Sequence, residues 1–111
     1  MKYLITESKL EKVIFRYLDN QDFIQVEDKD TIYFVNSEGD KYCQIRYDMS
    51  DNFSFMNYEL VDDISSLFSL SDSDSEKIIV RWIGDTLQVK YSYEKSMSIT
   101  NSVSLTLRLP F

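Results

Sequence analysis

A chain of 111 residues, 43% apolar and 14% aromatic, has the length of one domain and enough apolar mass for a core of its own. Two glycines and one proline argue against a disordered chain, and a single cysteine, Cys43, excludes an intramolecular disulfide. The net charge is −7 and there is no histidine. No run approaches the roughly 20 apolar residues of a membrane span. The opening residues hold no long apolar run before their first charges, so a secretory signal is not expected. These features describe a soluble, cytoplasmic chain.

The first element in chain order is an amphipathic helix in "LITESKLEKVIFRYLDN", where Leu10, Val13, Ile14, Tyr17 and Leu18 recur at helical spacing. Thr6 is its expected N-cap, with Ile5 and Leu10 at the two staple positions; Ser8 with Glu11 is a rival capping box. Strands follow at 22–27, 31–36 and 41–48, and a fourth at 52–56, all rich in β-branched and aromatic residues. The turns are "EDKD", "SEGD" and "DMSDN", with Gly39 available for a positive φ. Strict alternation in the third strand puts Cys43, Ile45 and Tyr47 on one face and Tyr42, Gln44 and Arg46 on the other.

A second helix is expected from Leu60, Val61, Ile64, Leu67 and Phe68, capped by Asn57 with Glu59 in its first turn. A third, shorter one is expected from Ile78, Ile79, Trp82 and Ile83, with Gly84 as the glycine that ends it. A buried strand "KIIVRWI" competes for that stretch. From Leu87 to Leu109 the large apolar residues all fall on odd positions, a period-2 pattern for two half-buried strands. Their turn is either Thr100–Ser102 or Glu94–Ser96, and both keep the apolar faces matched. The sum is a single α+β domain over residues 1–111: an N-terminal helix, an antiparallel meander, a two-helix segment and a C-terminal β-hairpin. The helices cover one face of the sheet.

"SDSDSE" between the two later helices invites three readings. A calcium loop starting at Asp72 needs Gly at its sixth position and Glu at its twelfth, which here are Lys77 and Ile83, so calcium is excluded. Phosphorylation of Ser71 or Ser73 would add charge beside Asp72 and Asp74 with no arginine cluster to receive it. The favoured reading is a helix cap, Ser73 with Glu76.

Much chemistry is missing. Without histidine and with one cysteine, the usual Ser-His-Asp, Cys-His and zinc arrangements cannot form. Two glycines cannot build a phosphate-binding glycine loop. Asp62 and Asp63 are adjacent and diverge on a helix. No catalytic residue, metal or cofactor is expected, and the chain reads as a non-enzyme. Cys43 reads as a buried, inert thiol and Trp82 as core. Residues 48–85 hold nine acids against Lys77 and Arg81 alone, so the negative field belongs to the middle of the chain. There is no basic stripe to neutralise phosphates, which excludes direct nucleic-acid binding.

Three stretches, "YLITESKLEKVIFRYLDN", "IYFVNSEGDKYCQIRYD" and "SDSEKIIVRWIGDTLQV", resemble small uncharacterised proteins of tailed bacteriophages that open on an "ITES"-type helix start. Lys9 stands where that pattern often has Gln, which removes the Thr6 capping box. The resemblance implies expression in an infected bacterial cytoplasm and carries over no site residues. On this reading the chain is a non-enzymatic interaction module that binds a host or viral protein. Its contact residues would be the acids Asp62, Asp63, Asp72 and Asp74 or the strand tyrosines Tyr42, Tyr91 and Tyr93. The alternative is a structural or assembly protein that self-associates as a homo-oligomer through its C-terminal strand, with Leu105 and Leu107 in the contact.

Overall fold

The computed structural model describes residues 7–100 and 104–111. It is an α+β fold, as the sequence implies. Helix α1 (Glu7–Asp19) is followed by strands β1 (Ile24–Asp28), β2 (Thr31–Val35), β3 (Ile45–Asp48) and β4 (Phe53–Asn57). Helices α2 (Tyr58–Phe68) and α3 (Asp72–Leu87) then lead to β5 (Ser96–Ile99) and a 3-10 turn at Leu105–Leu107. Strands β1 to β4 form an antiparallel meander in sequence order. β5 joins beside β4, and the pair is parallel, because the connection between them crosses over through two helices.

The helices pack on one face of the sheet. Ile14 and Leu18 of α1, Leu60, Val61 and Ile64 of α2, and Ile79, Val80, Trp82 and Ile83 of α3 are buried against Phe34, Ile45, Tyr47 and Met56. Trp82 is core, as expected. Its ring meets Phe23 and Phe34, and its Nε1–H donates to Asp19 Oδ1 at 2.9 Å. The opposite face carries a smaller cluster of Tyr33, Val35, Cys43, Leu107 and Leu109. The final segment runs across it: Cys43 N–H donates to Leu107 C=O and Leu109 N–H to Lys41 C=O, each at 2.8 Å. A bridge between Tyr42 and Arg108 lies between these bonds.

Several expectations are corrected. The third strand starts at Ile45, not residue 41. The chain bends at Gln44, whose N–H bonds the Phe34 carbonyl, and the alternation is reset there. Cys43 therefore lies in the smaller cluster, on the face opposite Ile45 and Tyr47. Helix α3 begins two residues earlier than expected: Ser71, not Ser73, is the N-cap, and its Oγ accepts the Asp74 N–H at 3.1 Å. Gly84 is inside α3, which runs on to Leu87 and closes on Gln88 at φ 57°. The phase of Ile83 and Leu87, four residues apart, is why the helix passes through the glycine. Leu67 is 61% exposed and lies outside the buried stripe of α2.

The expected C-terminal hairpin does not form among the described residues. Leu87 ends a helix, 88–95 is a loop, and only Ser96–Ile99 is a strand. The alternation was real, since Ile99, Leu107 and Leu109 do face one cluster, but a loop and a 3-10 turn carry it rather than two paired strands. The Thr100–Ser102 turn and Val103 fall largely outside the described residues. Ser8 lies within α1 and is not its cap; Thr6 and Ile5 lie outside the described residues. Asn57 caps α2 as expected, its Oδ1 accepting the Glu59 N–H at 3.0 Å.

Candidate functional site

Glu11 stands three residues before buried Ile14, on the flank of α1 that looks along α3. Arg81 stands between buried Val80 and Trp82 on α3. Their side chains meet at 2.6 Å, both partly shielded from water. The Arg81 Nε–H also donates to the Tyr93 hydroxyl, and the guanidinium lies 5.3 Å from the Tyr93 ring centroid. One turn further along α3, Gly84 leaves room for the loop to fold back. A Cβ there would stand 2.7 Å from Tyr91 Cδ1 and 3.1 Å from the Val89 carbonyl. Tyr91 thus lies over the glycine, 5.5 Å from Tyr93 between ring centroids, and is itself 49% exposed.

The result is a cleft of about 420 Å³ between α1 and α3, walled by Glu11, Phe15, Arg81, Asp85, Lys90 and Tyr91. Hydrogen bonding to Tyr93, and then to Glu11, pushes the Arg81 guanidinium further up, against desolvation, so its charge is permanent. The Tyr91 phenol is raised, first by hydrogen bonding to Tyr93. It is protonated at neutral pH and can donate and accept hydrogen bonds, but it is no base. The cleft offers aromatic faces, two carboxylates, the paired Arg81 cation and the Lys90 ammonium. Such a lining suits an amphipathic side chain or a short peptide segment.

The sequence-selected residues separate into groups. Tyr91 and Tyr93 come together at this cleft, on a loop rather than on a strand. Tyr42 is elsewhere, on the sheet's other face, under the Arg108 guanidinium at 5.9 Å. Asp62, Asp63 and Asp74 are exposed on the helical layer. Asp72 is engaged internally: its oxygens accept from Tyr58 Oη at 2.8 Å and Ser65 Oγ at 2.9 Å, tying α2 to the start of α3. The Tyr58 phenol is raised chiefly by that bond and the Asp72 charge, and it also feels Asp62 and Glu76. Burial and then Asp63 raise Tyr17. Cys43 is fully buried, and burial pushes its thiol up to about 12.

Glu11, Arg81 and Gly84 were not singled out from the sequence as cleft residues. A signal existed: a glycine in mid-helix, with the apolar phase continuing beyond it, marks a close approach by another segment. Among the described residues no cluster of three or more metal-ligating side chains occurs, and no helix is long and apolar enough to cross a membrane. The fold and cleft define an α+β domain with an acid-rich helical layer and a tyrosine-lined groove. Protein-family models, curated proteins and solved structures give no match to the chain.

Proposed function

We propose that the protein is a non-enzymatic interaction module that holds a basic segment of a partner protein against its helical layer. The observation that carries this reading is the Tyr91–Tyr93 pair at the mouth of the α1–α3 cleft, with the carboxylates of Glu11 and Asp85 in its walls. Tyrosines give contact area at low entropic cost. The three helices carry ten acids against five bases, so the field of the helical layer favours a cationic partner, while the cleft walls balance Glu11 and Asp85 against Arg81 and Lys90. The buried Cys43 thiol and the protonated Tyr91 phenol leave neither as a nucleophile or base at neutral pH. The resemblance to phage proteins makes the partner a host or viral protein of an infected bacterium.

The test is affinity capture from a bacterial lysate with elution on a salt gradient. Three baits run side by side: the native chain, Asp62→Lys with Asp63→Lys, and Tyr91→Ala. The expected result is one basic protein held by the native chain, released by salt, and lost from both variants. Retention of the same proteins by all three baits would sink the reading.

A further inference from the structure

The two edges of the sheet differ. β1 leads into its turn through Glu27, Asp28, Lys29 and Asp30, a run of charge that blunts an edge against pairing. β5, at the other edge, reads Ser-Met-Ser-Ile, with no charge and no proline. Ser54 N–H donates to Lys95 C=O at 2.9 Å, and Ser54 pairs with Ser96 in the parallel register. In that pattern Met97 and Ile99 turn their backbone groups toward β4. Ser96 and Ser98 turn theirs outward. Among the described residues those outward groups have no strand partner.

We propose that β5 pairs antiparallel with β5 of a second copy, about a two-fold axis at Ser98, so that two five-stranded sheets become one. The residue pattern is self-complementary under that operation. Ser98 meets its own counterpart, Ser96 meets Thr100, and Met97 meets Ile99 of the second copy. Pairs on one face must be of equal parity, and these are. Met97 is 51% exposed and lies on the sheet face away from the helices, where it can close on the second Ile99.

Charge selects the occupant. The chain carries −7, and self-association must avoid placing acids on acids. On the face away from the helices the strands and final segment contribute Asp28, Asp48, Arg46 and Arg108, two of each sign, and β5 contributes none. On this face, therefore, the edge brings no net charge to the seam, and the acids that two copies would bring near each other are those of α2 and α3 on the helical face. Leu107, expected from the sequence to lie in a self-association strand, is fully buried within its own chain and has no part in it.

Analytical ultracentrifugation across a broad concentration range tests the proposal with three chains. The native chain is expected at twice its 13.2 kDa mass, most firmly at high salt, where repulsion between the acidic helical layers is screened. Ser98→Pro removes an outward N–H and leaves the bonds to β4 in place. Met97→Lys sets a charge on the edge. Each is expected to weaken dimerisation by about tenfold or more, roughly 1.4 kcal/mol or above, with the melting temperature of the dilute monomer held. A native chain that stays monomeric throughout overturns the proposal, and so does a dimer that both variants retain. If Ser98→Pro fails to fold, Met97→Lys decides alone.

Discussion

The two faces of the sheet are built to different standards. The helical face buries a continuous core from three helices and three strands, and its outer surface carries most of the acids. The other face closes over five residues with a single crossing segment, leaves Leu105 80% exposed, and balances its few charges. Arg46 shows the local logic: it lies over Phe55, pairs with Asp48 at 2.9 Å, and donates to the Thr106 carbonyl at 3.1 Å, so one guanidinium pins the crossing segment. The first face supplies stability through packing. The second is held by few contacts, and its hold is local.

The largest expected effect separates the faces directly. Ile64→Ala and Leu107→Ala each remove a fully buried side chain. Ile64→Ala should cost about 2–5 kcal/mol in denaturant unfolding, because it opens a cavity within the larger core. Leu107→Ala should fall at the low end of that range, with hydrogen-exchange protection lost at Cys43 and Leu109 before global unfolding. Equal costs and uniform exchange would erase the distinction.

The next test lies inside the smaller cluster. The Cys43 folded pKa stands above its ordinary value, so above pH about 9 the unfolded thiol ionises while the folded one keeps its proton. The unfolded state then binds fewer protons, and stability falls by about 1.4 kcal/mol per pH unit up to about 12. Its contribution is intact below pH 9. Cys43→Val should flatten the alkaline limb of stability against pH over that window, leaving whatever the buried tyrosines add above 10. At pH 8 a thiol reagent should label the native protein only as fast as it opens. Prompt labelling would show the cluster to be loose.

Smaller still is the cap on the helical side. Ser71→Ala should lower stability by about 1 kcal/mol, and Ser73→Ala by less than about half that. The reverse order would restore the capping box that the sequence suggested. Smallest is Leu67→Gln, expected within about 0.5 kcal/mol of the native chain because the side chain is already in water.

The meander, three helices and the core character of Trp82 were legible because they rest on local periodicity: turn residues close short connections, and helical stripes fix their own faces. What failed to read depends on distant partners. Ser71 and Ser73 both have an acid three residues on, and the choice fell to Ser71 because Ser75 must be buried, its Oγ bonded to the Ser71 carbonyl and to Ser65. Only the docking of α2 shows that. Odd-numbered apolar residues from 87 to 109 said which side chains seek cover, not which backbone would present them. Parallel pairing of β5 is set by the crossover, which leaves no mark on "SMSI". The cleft was half legible: Tyr91 and Tyr93 drew attention as aromatics, whereas Arg81 looked like one base in an acidic run.

The parallel join of β4 and β5 also sets an order of events. β1 and β2 close over Lys29 and Asp30, a connection that hairpins make in about 1–10 μs. β5 can find β4 only by closing a loop that contains α2 and α3, and chain entropy opposes that contact until those helices have condensed. A nascent molecule would thus hold a four-stranded meander whose last strand, Phe53 to Asn57, still has an open side. The stretch that completes the sheet arrives last, and for that interval the uncovered β4 is where a wrong neighbour could attach.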